Sequence, residues 1–435
     1  MLRTGIKRDQ AVKVVSSACF KVKSTVKEIV AAKDILEILS QDFKDTERTT
    51  GQIGSSDKLS QNDFKFMDIV SQSIHQDKEG YYTMPLPLKD DFILPNNRWM
   101  AEQRLKNMTK RLARDKDYRD KYQDFMKGLI DRGEAEPAND HSTRHRWYLP
   151  HHGVVHPKKP GKVRVVWDCS SRCEGISLND VLLQGPDLNN TLLGVLLRFR
   201  LGEIALSCDI ERMFFQFWVP QEQRDFLRYL WYDENGDVCD YRMKVHVFGA
   251  TSSPSCAIYG LKRLADDYGQ QYPQAKKFIQ NHFYVDDGLV STDSTEEAAK
   301  MAQESIEMCK KANIRLCKFT CTSEEVLSQI PVSERADENS AQELLPQISS
   351  ALGVTWLIDS DDFSFRLELK DTPLTRRGIL STVSSIYDPL GLVSPILLQG
   401  KQILKQICEL GKDWDDDLPN DIRMKWEEWR TGVFS

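Results

Sequence analysis

Asn281-His282-Phe283-Tyr284-Val285-Asp286-Asp287-Gly288-Leu289-Val290 sets two short hydrophobic segments around adjacent carboxylates and a glycine. Aromatic and β-branched residues flanking Asp-Gly predict a strand, a tight turn at Asp-Gly and a second strand. Asp286 and Asp287 repel each other unless a cation lies between them. An all-oxygen donor set suits Mg²⁺ rather than zinc. Taken alone, the same stretch equally suits a surface hairpin with a polar turn.

Upstream, Leu206-Ser207-Cys208-Asp209-Ile210-Glu211-Arg212-Met213-Phe214-Phe215-Gln216-Phe217-Trp218-Val219 carries a single aspartate at the end of an apolar strand. Taken singly, Asp209 reads as a strand-end or helix-capping residue. A two-metal phosphoryl-transfer site, however, needs carboxylates from separate chain segments, holding cations roughly 3.5–4 Å apart. Asp209 completes such a set with Asp286 and Asp287 if the two strands pair.

The chain has 435 residues, enough for two or three units. Its net charge is −6, from 59 basic and 65 acidic residues, but the signs are segregated. Between Arg98 and Gln123 there are nine Lys/Arg against four Asp/Glu, and between His141 and Arg172 seven against one. Acidic residues gather at Glu334–Glu343, Asp359–Asp362 and Asp413–Asp417. Local positive tracks of this kind suit a nucleic-acid duplex gripped along one face; ordinary solvated helix faces are the bland alternative.

Ten cysteines show no disulfide framework, which fits reduced thiols in an intracellular, cytoplasmic protein. Cys169/Cys173 and Cys317/Cys321 have four-residue spacing but fall in strand and loop patterns, so zinc is not expected. No apolar run approaches the ~18 residues of a membrane span. Lys13 breaks the apolar stretch after the basic start, so no signal peptide is expected.

Residues 1–57 are weakly patterned, with a helix expected over Val22–Ser40 and a polar linker over Thr49–Ser56. Met84-Pro85-Leu86-Pro87-Leu88 is extended, because each proline biases its predecessor away from helix. Two charged helices are expected from Asn97 to Gly133. Arg146–Asp168 alternates as a β-hairpin with a Pro160-Gly161 turn, and a second hairpin turns at Asp233–Asp237. Helical patterns follow at Pro254–Gln270 and Glu296–Ala312. Ser394-Pro395 opens a further helix by cap and first-position proline, and Gly411 closes it. Strands with helices packed on one side imply an α+β fold.

Tyr284-Val285-Asp286-Asp287 matches the YxDD signature of reverse transcriptases, and Asp209–Phe214 matches their first catalytic block. Leu178–Leu188, Leu193–Arg200 and Ser385-Ile386-Tyr387-Asp388-Pro389-Leu390-Gly391-Leu392-Val393-Ser394-Pro395 resemble one subgroup. From about Lys58 to its end the chain resembles the Pol protein of BEL/Pao-type long-terminal-repeat retrotransposons, in its reverse transcriptase region. The resemblance implies a right-hand polymerase with an antiparallel palm sheet packed on helices. It divides the chain into a helical N-terminal extension (58–134), fingers (135–205), a palm (206–320, with a hairpin insertion at 217–246), and a primer grip, thumb and start of the following Pao-type region (321–435).

The implied activity is RNA-directed DNA polymerisation on a primed RNA or DNA template with dNTPs and two Mg²⁺ ions, for which Mn²⁺ substitutes. Asp209 and Asp286 would ligate both ions, Asp287 more peripherally, with the Ile210 carbonyl completing a shell. Lys159 and Arg164 would clamp the triphosphate. Phe214 would lie under the sugar and exclude a 2′-hydroxyl, its bland alternative being a core phenylalanine on a strand. Phe248 and Gly249 belong to the block beside the nucleotide, Gly249 letting the backbone approach the substrate. Lys318 would assist the leaving pyrophosphate, and Leu352-Gly353 would seat the primer end. Other retroelement Pol and Gag products are the implied partners, within virus-like particles and without a membrane. No Asp-Thr/Ser-Gly triplet of a retroelement protease is present, and no ribonuclease H carboxylate set or integrase motif is recognisable. The chain therefore reads as a piece of a larger Pol or a truncated copy, the alternative function being a catalytically inactive or domesticated fragment that binds nucleic acid or protein.

Overall fold

A computed structural model describes residues 59–138, 146–156, 159–336, 348–368 and 372–432, and the backbone of Ser17–Lys21; for 156, 159–162, 348–351 and 365–368 the backbone alone is described. The helix expected over Val22–Ser40 lies outside the described residues. Strands in chain order begin with β1 (Ser17–Lys21), β2 (His75–Gln76), β3 (Tyr82–Thr83) and β4 (Ala135–Pro137). There follow β5 (His151–His156), β6 (Lys159–Trp167), β7 (Ile204–Ile210), β8 (Arg228–Tyr232), β9 (Val238–Met243), β10 (Phe283–Tyr284), β11 (Asp287–Thr292) and β12 (Leu316–Cys321). The last are β13 (Ile348–Ala351), β14 (Val354–Leu357) and β15 (Asp362–Glu368). Helices and antiparallel sheets are mixed, as an α+β fold requires.

The central sheet has the order β10-β11-β7-β12, antiparallel throughout. Alternation along β7 sends Leu206, Cys208 and Ile210 to one face, with Ala205, Ser207 and Asp209 on the other. The first face is covered by helices Ser253–Tyr268, Pro273–His282 and Thr295–Lys310, in a core that includes Val290, Cys256, Phe278 and Met301. On the second face only one end is covered: Ala205 and Leu289 pack beneath Val195, Phe199 and Trp356. The other end, with Asp209 and Asp287, is left outside that core.

Helix Gln61–Ser73 starts with a capping box, in which Ser60 Oγ accepts from the Asp63 N–H and Asp63 accepts from the Ser60 N–H. Its Phe66 and Val70 join the central core, whereas helices Arg98–Leu112 and Lys116–Asp131 join a second core with β5, β6, β8 and β9. Segment 58–134 is thus divided between two cores. Asp115 caps the second of those helices, and Gly133 follows it with φ +71°. The β8–β9 hairpin turns at Asp233–Asp237, as its sequence predicts, and β9 also pairs with β4.

Two local expectations are corrected. His156 pairs with Lys159, so Pro160-Gly161 lies within β6 after a register shift, beyond the point where the two strands join. Helix Ser394–Glu409 is capped by Val393 rather than Ser394. The Leu392 and Val393 N–H groups donate instead to the Asp388 carboxylate at 2.9 and 2.8 Å.

Arg228 is fully buried and donates to Asp225 at 2.8 Å, with Asp240 at 3.7 Å. Arg228→Met removes the buried cation shared by two acidic groups, which keep their outer partners Arg242 and Arg98, so it should cost about 3 kcal/mol in urea unfolding. Arg98→Met removes a 38% exposed partner of Asp240 and should cost about 1 kcal/mol or less.

Candidate active site

Register brings the acidic residues together. Asp209 on β7 faces Asp287 on β11 directly, and Cys317 on β12 faces Asp209 from the other side. Asp286 sits in the loop joining β10 to β11, where its carbonyl accepts the Ile210 N–H at 2.9 Å. The expected partner Asp286 therefore meets the end of β7 through its backbone, while Asp287 is the residue directly across from Asp209.

The turn is not at Asp-Gly. Phe283 pairs with Gly288 and Tyr284 with Asp287, which leaves Val285-Asp286 as the two-residue loop. Gly288 is a strand residue kept small by aromatic packing, since a Cβ there would lie 2.6 Å from the Phe283 ring. Val285 adopts φ +57°, the left-handed region, which is strained for a β-branched residue. Its N–H donates to Asn189 Oδ1 at 3.2 Å, and Asn190 Nδ2 donates to the Phe283 carbonyl at 2.8 Å. These two asparagines hold the loop in shape. In the sequence they read only as part of a polar run before a helix.

Like charge and burial shift the carboxyls. Burial first, then Asp286 and Asp209, pushes Asp287 up to about 7. Burial and Asp209 also raise Asp286, with Lys318 and Arg164 pulling the other way. Lys318 makes an ion pair with Asp209. It reaches there because β12 breaks register between Cys317 and Thr320, with Lys318 itself at φ +55°. Among the described residues no three His, Cys, Asp or Glu side chains form a ready-made metal cage. The donor chemistry nevertheless fits a hard divalent cation: three carboxylates, two of them raised by burial and then by mutual repulsion, which an added positive charge would relieve. Burial pushes His246 and His282 down to about 4 and about 3, so both stay neutral and neither supplies a cation here.

Arg164 is exposed on β6, close enough for its charge to act on Asp286. The side chain of Lys159 lies outside the described residues. Phe214 lies in a 3₁₀ turn over Met213–Gln216, not on a strand, half-buried, with its ring 5.6 Å from that of Phe248. Phe248 is 51% exposed. Gly249 has φ +120°, and a Cβ there would lie 2.0 Å from the Trp167 carbonyl oxygen. The glycine is thus already required by its contact with β6 within the protein. Asn179, another residue not singled out by the sequence, donates to the Gly249 carbonyl at 3.1 Å and accepts the Thr251 N–H at 2.9 Å. Leu352-Gly353 forms the β13–β14 turn, with φ +51° and +88°; Gly353 lies next to the Tyr387 ring, and Leu352 packs in the cluster that also takes Leu289 and Tyr284.

Residues 375–434 match the family described as "Pao retrotransposon-like RNaseH-like domain". Within that span the described residues form three helices, Arg376–Ser384, Ser394–Glu409 and Asn420–Gly432, and no strand. No curated protein matches the chain. Among solved structures it is similar to the foamy viral protease-reverse transcriptase dRH in complex with ds DNA, at 15% identity and TM-score 0.43, over 70% of this chain and 46% of that one. It is also similar to the foamy viral protease-reverse transcriptase in complex with RNA/DNA hybrid, at 13% identity and TM-score 0.44, over 72% of this chain and 36% of that one. The chain spans less than half the length of either.

The shift of Asp287 has a definite sign. Its folded value lies above the ordinary 3.8, so the native state binds the proton more tightly and loses stability as pH rises from about 4 to about 7. Asp287→Asn should therefore leave the metal-free protein nearly unchanged at pH 4. At pH 7.5 it should stabilise the protein by about 1–2 kcal/mol, after solvent screening, in thermal unfolding. Added Mg²⁺ should narrow the gap. A separate contrast tests the packing: Gly249→Ala should cost about 3 kcal/mol or more, whereas Gly236→Ala, with φ +87° and open space, should cost about 1 kcal/mol.

Proposed function

We propose that the chain is an RNA-directed DNA polymerase of retroelement origin, which extends a primer 3′-hydroxyl with deoxynucleotides. The observation that carries this reading is the uncovered end of the sheet face where Asp209 faces Asp287 on the two inner strands, with Asp286 in the adjoining strained loop. The C-terminal similarity to a Pao retrotransposon domain supports the retroelement part. On this reading Asp209, Asp286 and Asp287, with the Ile210 carbonyl, hold two Mg²⁺ ions. When bound, the ions lower the pKa of the primer hydroxyl and take up charge on the leaving pyrophosphate.

The remaining steps belong to side chains. Arg164, with Lys159, binds triphosphate oxygens opposite the carboxylates. Phe214, backed by Phe248, lies under the sugar and leaves no space for a 2′-hydroxyl. Lys318 neutralises Asp209 in the resting chain and turns to the pyrophosphate during transfer. Leu352-Gly353 seats the primer. A cytoplasmic location with other Pol and Gag products goes with this reading; no helix among the described residues is long and apolar enough to cross a membrane.

A second reading has its own observation. The ammonium of Lys318 already occupies Asp209, as expected of a catalytically silent fragment that keeps the fold and binds nucleic acid or protein. Primer extension on poly(rA)/oligo(dT) with Mg²⁺ separates the two. Extension by the unmodified chain, lowered at least about 100-fold in Asp286→Asn, supports the polymerase. A folded chain that binds the primed template without extending it in Mg²⁺ or Mn²⁺ supports the silent fragment. Phe214→Ala should raise ribonucleotide incorporation relative to deoxynucleotide incorporation, and an unchanged ratio removes the ring from sugar selection.

A further inference from the structure

The positive charge between Arg98 and Gln123 is not spread over both helices of the pair. On helix Lys116–Asp131 the outward positions include Asp117, Asp120, Asp124 and Asp131, so that surface is mixed. Helix Arg98–Leu112 differs. Ala101, Leu105 and Leu112 enter the second core, and the single acid, Glu102, is paired with Arg98. Arg104, Lys106, Lys110 and Arg111 are exposed on the helix, and Arg114 and Lys116 extend the group through the turn that follows. Among the described residues none of these six cations has an ion-pair partner; Arg111 lies over the Tyr118 ring, 4.8 Å from its centre.

Geometry narrows the ligand. Trp99, Gln103, Lys106 and Lys110 follow at i, i+4, i+7 and i+11, a single stripe, and Trp99 is 62% exposed. From Trp99 to Arg111 the face runs about 18 Å, with neighbouring rows about 5–6 Å apart. Cations at that repeat beside an exposed indole and two side-chain amides, Gln103 and Asn107, suit a polyphosphate strand whose bases are free to stack. An anionic lipid surface fits less well, because the apolar face of the helix is already buried in the protein and has nothing to insert.

The face also lies away from the carboxylates. Val163, Val165 and Trp167 point from β6 toward the helix pair, where Tyr118 donates to the Gly153 carbonyl at 3.1 Å. Arg164 alternates to the opposite side of β6, from which its charge reaches Asp286. The β5–β6 hairpin therefore stands between the aspartates and the helix pair. We propose that the outer face of helix Arg98–Leu112 binds a single-stranded nucleic acid, with RNA as its probe, through its phosphates, as a site separate from the carboxylate cleft. This goes beyond the polymerase reading and holds whether or not the chain is active.

The test is fluorescence anisotropy of the full chain with a labelled single-stranded RNA of about 20 nucleotides, titrated across salt concentrations. Arg104→Gln/Lys106→Gln/Lys110→Gln/Arg114→Gln should weaken binding about tenfold or more near 0.1 M salt and lower the salt slope by about 2–3. Trp99→Ala should weaken it about fivefold or more. Lys127→Gln, an exposed lysine on the neighbouring helix, should change neither. Acylation footprinting of the unmodified chain is independent of any variant: RNA should protect Lys106, Lys110 and Lys116 but not Lys127. An unchanged affinity and slope in a folded fourfold variant, or no protection of those lysines, overturns the proposal. Binding to phosphatidylserine vesicles that RNA does not compete overturns it in favour of a membrane surface.

Discussion

Two aspartates held face to face across neighbouring antiparallel strands are an unfavourable pair, and the sheet keeps them there. Like charges directly opposite cost on the order of 1 kcal/mol in a solvated setting. Against this stands register. Leu206, Cys208, Ile210 and Val290 are buried against the helices, and each fully buried apolar side chain contributes about 1.5–3 kcal/mol. A one-residue slip of β7 would turn that row outward and bury Asp209. Packing on one face thus outweighs repulsion on the other. Lys318 offsets part of what remains, from a bulge that only an irregular β12 provides.

The same balance explains the strain nearby. Val285 and Lys318 both occupy the left-handed region, at a cost of about 1–2 kcal/mol each. Neither would persist in an isolated hairpin. Asn189 and Asn190 supply hydrogen bonds from a separate segment, and Val285 packs against the central core, so tertiary structure fixes what local preference opposes. Backbone strain beside repelling carboxylates is the signature of a site shaped by more than stability.

Much of this was legible in the sequence for one reason: periodicity. The alternation in β7, the charged helix pair and the Asp233–Asp237 turn all follow from local patterns that the packed protein keeps. What was not legible depends on contacts distant in the chain. Asp-Gly is a strong turn signal, yet Gly288 serves as a strand residue because Phe278 and Phe283 crowd it. Gly249 carries no mark that its neighbour is the Trp167 carbonyl. Asn179, Asn189 and Asn190 look like loop residues until their partners, remote in sequence, are in place. The chain's −6 charge gave no hint that six cations without an ion-pair partner among the described residues gather on one helix and the start of the next, though their spacing did.

The C-terminal helices add a further consequence of packing. Ile379, Val383, Ile403, Ile407, Trp426 and Trp429 form a core of their own, separate from the central one. The connection after helix Arg376–Ser384 makes contact with the rest of the protein. There Leu390 packs with Tyr284 in the cluster around Trp356, and Tyr387 abuts Gly353. Tyr284 precedes the strained Val285 directly, so the cluster that receives this unit includes the strand leading into the carboxylate loop. Tyr387 and Leu390 thus join the helical unit to the packing beside that strand, and the strain at Val285 sits one residue beyond it.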